Sequence, residues 1–107
     1  MNADAVFQRE SDAFWEALSS LQGSTFQTAK GLSFTFYMRG NELIVSRKYK
    51  PVTRASVDLA LRRAKGMNRI TGPKQLGTFG ASYLYPLFLA AGVIRHPEQK
   101  TLLDFLD

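Results

Sequence analysis

The sequence predicts an α+β fold in one domain over residues 1–107: an N-terminal helix, a small three-stranded antiparallel meander, then two or three helices. Three observations carry this. Phe7, Phe14 and Leu21 recur every seven residues. From Thr25 the pattern changes to β-branched and aromatic runs separated by Lys30-Gly31 and Gly40-Asn41. Beyond Pro51 apolar residues return at helical spacing, punctuated by Gly66, Gly72-Pro73, Gly77, Gly80 and Gly92.

The first helix runs from about Ala3 to Leu21. Trp15 and Leu18 fill the side marked by Phe7, Phe14 and Leu21, while Arg9, Glu10, Asp12 and Glu16 fall mostly elsewhere. Asn2 or Asp4 can cap its start, and Gly23 follows its end where a left-handed residue often closes a helix. The three strands are Thr25 to Ala29, Leu32 to Arg39 and Glu42 to Lys48. In the middle one, Leu32, Phe34, Phe36 and Met38 share the core face; Ser33, Thr35, Tyr37 and Arg39 share the wetter one. Ile44 competes with Leu43 and Val45, so the third strand's register stays open.

Pro51 ends the third strand and Thr53 is placed to cap a helix beginning at Arg54. Val57, Ala60, Leu61 and Ala64 form its apolar face and Gly66 terminates it. Gly72-Pro73 starts a helical turn through Leu76. A further helix from Ala81 or Ser82 to Ala91 presents Leu84, Leu87, Phe88 and Ala91 on one side, with Pro86 near its first turn and Gly92 closing it. Thr101 to Leu106 reads as a short last helix.

With 45% hydrophobic residues, 8 Phe, 4 Tyr and 1 Trp, the chain of 107 residues has enough apolar material for one core. It has no cysteine, which excludes disulfides, thiolate metal sites and a cysteine nucleophile. The most apolar stretch, Tyr83 to Ile94, is broken by Pro86 and Gly92 and falls short of the roughly 18 residues of a membrane span. Asp4, Glu10 and Asp12 stand where an export signal would carry positive and then apolar residues, so cytoplasmic residence is expected and a membrane is not an expected partner.

Charge is unevenly distributed. Residues 39–74 hold ten basic and two acidic side chains, a local net charge of +8, against −2 before and −1 after. Such a concentration sets up a field that attracts anionic polymers. Arg47, Lys48, Tyr49, Lys50 and Arg54 crowd into one strand-to-helix segment, continued by Arg62 and Arg63. Lysine and arginine supply phosphate contacts, and Tyr49 is an aromatic able to stack on a base. Arg54, Asp58 and Arg62 share one helix face at four-residue spacing, which reads equally as a solvated face laced by ion pairs. Lys74, in Gly72-Pro73-Lys74, adds to the positive surface. The glycines around it lack the Lys and hydroxyl residue of a phosphate-binding loop and read as turn positions.

The segment Val52-Thr53-Arg54-Ala55-Ser56-Val57-Asp58-Leu59-Ala60-Leu61-Arg62-Arg63 resembles the recognition helix of winged-helix DNA-binding regulators. That resemblance implies a winged-helix-like alternative for the fold and major-groove roles for Thr53, Arg54 and Ser56. Gly80 to Ile94 is similar to the helix that often ends a helix-turn-helix core; as such it would expose Ser82, Tyr83 and Tyr85, whereas its lack of basic residues favours a buried helix. The overall pattern resembles small bacterial proteins and implies no activity.

Catalysis finds little footing. Ser82 lacks the second glycine of a nucleophile elbow, the one histidine, His96, adjoins Pro97, and the nine acids show no metal-binding spacing. No cofactor is expected. The leading expectation is a nucleic-acid-associated module using Arg47, Lys48, Tyr49, Lys50, Thr53, Arg54, Ser56, Arg62, Arg63 and Lys74. The alternative is a homodimerisation or protein-interaction module built on Phe7, Phe14 and Trp15.

Overall fold

The heptad spacing of Phe7, Phe14 and Leu21 is realised as helix α1, Ala3–Leu21, in a computed structural model that describes residues 3–47, 50–67 and 70–94. Phe14 and Leu18 are buried; Phe7, Trp15 and Leu21 pack against the core's margin. Strands β1 (Phe26–Gln27), β2 (Ser33–Phe34), β3 (Phe36–Arg39), β4 (Glu42–Val45) and β5 (Val52–Thr53) follow, then helix α2 (Arg54–Lys65), a 3-10 turn (Pro73–Leu76) and helix α3 (Ala81–Ala90). Lys48, Tyr49 and the expected helix over Thr101 to Leu106 lie outside the described residues.

The fold is α+β, as the sequence predicts, but the three-stranded sheet is shifted along the chain. Its order is β3-β4-β5, antiparallel throughout, while β1 and β2 form a separate hairpin. The expected middle strand changes partners at Thr35. Before it, Phe34 pairs with Phe26; after it, Phe36 pairs with Val45. The reason lies at the end of α1, where the Gly23 N–H donates to the Phe36 carbonyl at 3.1 Å and the Gln22 amide oxygen accepts from the Met38 N–H at 2.8 Å. These bonds occupy the β3 edge that β1 would otherwise extend along. Val52 and Thr53, expected only as a helix approach, supply the third strand.

The open register resolves with Leu43 and Val45 inward and Ile44 outward, because Leu43 pairs with Val52 and all three interior side chains meet the helices. Phe34 and Phe36 are buried as expected, but Leu32 is 47% exposed, since it precedes the paired part of β2. Val57, Ala60, Leu61 and Ala64 form the buried side of α2. Gly66 does end that helix, in the right-handed region at φ −84°, with its N–H shared between the Arg62 and Arg63 carbonyls. Pro86 sits in the second turn of α3, not the first, and its ring nitrogen cannot bond the Ser82 carbonyl. Tyr85, read as an exposed contact if α3 were a recognition helix, is buried, and burial pushes its phenol above the ordinary value.

The helices cover one face of the sheet. Phe14 of α1 meets Phe88 of α3 edge to face at 4.9 Å, with Phe36, Leu43, Val52, Val57 and Leu76 around them. Among the described residues no helix is long and apolar enough to cross a membrane.

Candidate functional site

The cations of α2 are engaged within the protein. Arg54 donates to the Asp12 carboxylate at 2.5 Å and to the Ser11 hydroxyl at 3.1 Å, and its guanidinium lies 5.3 Å from the Trp15 ring centre. Ser11, buried, donates to Asp58 at 2.6 Å, so Asp58 pairs with the hydroxyl of α1. Arg62 stands 3.8 Å over the Phe7 ring and Lys65 pairs with Glu10 at 2.5 Å. These contacts fasten α1 to α2. On the opposite side Arg63 donates to the Leu76 and Gly77 carbonyls at 3.1 and 2.6 Å, holding the 3-10 turn; a Cβ at Gly77 would run into that guanidinium. Thr53 caps α2 by accepting from the Ser56 N–H at 3.2 Å, and Ser56 is half-buried beside it.

The Arg54 hydrogen bond, with a smaller contribution from Gln8, holds the Asp12 carboxyl below its ordinary range. A carboxyl whose folded pKa is depressed adds stability above its unfolded value, and that stability fades as pH falls toward the folded value. Asp12→Asn is therefore expected to be less stable than the native chain at neutral pH, with the difference shrinking below about pH 4. Urea titrations at stepped pH measure this; a difference that stays constant down to acid would contradict it. The exposure of Asp12 keeps the effect small.

A different place gathers cations that pair with no carboxylate among the described residues. Between the 28–32 hairpin loop and the 71–75 turn lies a groove of about 570 Å³, with Lys30 on one wall, Lys74 on the other, and Leu32, Pro73, Ser82 and Tyr83 between. Among the described residues no aspartate or glutamate lines it. Both walls are fixed. Thr28, buried, donates its N–H to the Leu32 carbonyl and accepts from the Gly31 N–H at its own carbonyl, while its hydroxyl accepts from the Leu32 N–H at 3.1 Å. Opposite, the Gln75 side-chain oxygen accepts from the Thr71 N–H, the Thr71 hydroxyl and the Gly72 N–H. The first turn of α3, which carries no acid, brings Ser82 and Tyr83 to the groove and adds the partial positive charge of a helix start. Arg47 donates to the Ser33 carbonyl at 2.5 Å, which puts a third cation beside the hairpin wall, and Lys50 is exposed.

The predicted site residues thus divide. Thr53, Arg54, Ser56, Arg62 and Arg63 belong to the α2 contacts, Lys74 and Arg47 to the groove and its neighbour, and Lys48 and Tyr49 lie outside the described residues. Lys30 was not singled out by sequence reasoning; its signal is a lysine at a glycine turn, the same context as Lys74 after Gly72-Pro73. Among the described residues no group of three or more His, Cys, Asp or Glu is placed to hold a metal ion. No protein-family model, curated protein or solved structure matches the chain.

Proposed function

We infer that the protein is a nucleic-acid-binding module whose phosphate contacts come from Lys30, Lys74 and Arg47, with the exposed Lys50 adding to the positive surface. The observation that carries this reading is the groove with a lysine on each wall and no carboxylate among the described residues of its lining. Phosphate oxygens are the abundant anions that paired lysines on fixed walls suit, and each contact releases a condensed counterion. Cytoplasmic residence belongs to the same reading.

The test is fluorescence anisotropy with a labelled mixed-sequence oligonucleotide across a salt series. Affinity should fall linearly with salt on logarithmic axes, and Lys30→Ala and Lys74→Ala should each flatten the slope by about 1. Arg54→Ala should lower stability while leaving that slope unchanged. Lysine variants that bind like the native chain, or a native chain that fails to bind at low salt, would contradict the reading.

The outer face of β3 and β4 favours the interaction alternative, since Tyr37 is 53% exposed beside Ile44. In that case light scattering should show a mass that rises with concentration and drops in Tyr37→Ser. Phe14, by contrast, is interior, and guanidinium groups stand over the rings of Phe7 and Trp15.

A further inference from the structure

We propose that the groove between the 28–32 loop and the 71–75 turn receives one unpaired nucleobase, making the protein selective for single-stranded nucleic acid. This rests on the nucleic-acid reading above and adds what that reading leaves open, the kind of strand.

The lining carries the argument. Two lysines would suffice for a phosphate on a bare surface, yet here they flank a recess whose walls are Leu32, Ala29, Pro73 and the Tyr83 ring. Leu32 is left half in solvent by a loop that Thr28 holds in place. An apolar recess flanked by cations fits a group with a flat apolar body joined to an anion, which describes a nucleotide. Its volume of about 570 Å³ lies in the ordinary range of small-ligand pockets. Ser82 brings a hydroxyl to the same lining, able to donate to or accept from a base edge, and the Thr71 hydroxyl, which donates to Gln75, can accept from one.

In a duplex the bases are paired and stacked, so entry would require extruding one at a cost of a few kcal/mol. A single strand presents its bases without that cost. Tyr83 is set for the role by Phe34, which packs against it edge to face at 5.0 Å, so the ring is held rather than swinging in solvent. Because Gln75 and Thr28 lock the two walls, the recess exists before the base arrives and little ordering cost remains.

The experiment compares three labelled probes at one low salt concentration: an oligothymidylate of about 12 nucleotides, within the site sizes of single-strand binders, the same strand paired with its complement, and an abasic deoxyribose-phosphate oligomer with equal phosphates. The oligothymidylate should bind about five-fold or more tightly than either of the others. Leu32→Ser, at an exposed position that keeps the fold, should bring oligothymidylate affinity close to the abasic value and leave abasic binding unchanged; Tyr83→Leu, checked for folding by circular dichroism, should do the same. Equal, salt-dependent binding of all three probes that responds to Lys30→Ala and Lys74→Ala would overturn the base-insertion proposal while the nucleic-acid reading stands. Tighter duplex binding would also overturn it, and no binding by any probe would remove both.

Discussion

Replacing Phe88 by alanine is expected to lower the unfolding free energy by about 3–5 kcal/mol. Phe88 is fully buried and its ring meets Phe14 edge to face at 4.9 Å, so it joins α3 to α1 through the middle of the core. Its carbonyl also accepts from the Val93 N–H at 2.9 Å, which ties the end of α3 to the same position. Truncation removes the ring's transfer free energy and leaves a cavity that side chains fixed on three elements cannot close. Against a total stability of about 5–15 kcal/mol, that loss takes much of the folded state's margin. Urea unfolding followed by circular dichroism measures it. Phe14→Ala and the double variant complete a cycle, in which the edge-to-face pair should show a coupling of about 0.5–1.5 kcal/mol. A loss below about 1 kcal/mol at Phe88 would mean the core is not organised around this ring.

Gly80→Ala is expected to cost about 2–4 kcal/mol. Gly80 precedes α3 at φ +80°, where any side chain is strained, and a Cβ there would lie 2.7 Å from Cγ2 of Val52. Val52 cannot retreat easily, being fully buried in β5 and paired through Leu43. Gly92 offers the comparison: its φ is +77°, but among the described residues no non-adjacent atom stands within 4 Å of an added Cβ, so Gly92→Ala should cost only about 1–2 kcal/mol of left-handed strain. The difference between the two isolates the steric overlap. Adding Val52→Ala to Gly80→Ala should recover part of the loss relative to the sum of the single changes, and strict additivity would contradict the contact.

The helices were legible in the sequence because their signals are local. The span of α1, the buried face of α2 and the Thr53 cap all depend on residues within a turn or two of one another. The sheet was less so. Whether Ile44 or its neighbours face inward is decided by Val52 across the strand pair, and Leu32 left the core face because the run it begins changes partners at Thr35. The site suffered most. Arg54 and Arg63 stand out by their density in the sequence, yet the groups they bind, Asp12 and Gly77, lie 42 and 14 residues away. Lys30 reads in the sequence only as part of the Lys30-Gly31 turn because its segment is not basic, and only the fold brings it opposite Lys74.

We expect the groove, and not the outer side of α2, to meet nucleic acid. Amide chemical-shift mapping of the isotope-labelled protein during titration with a short oligothymidylate tests it most directly. The largest changes should fall at Lys30, Leu32, Thr71, Lys74 and Ser82, with Arg54 and Arg62 little moved. Changes concentrated from Arg54 to Arg63, with the groove residues unmoved, would place the contact on α2 and rule out the groove.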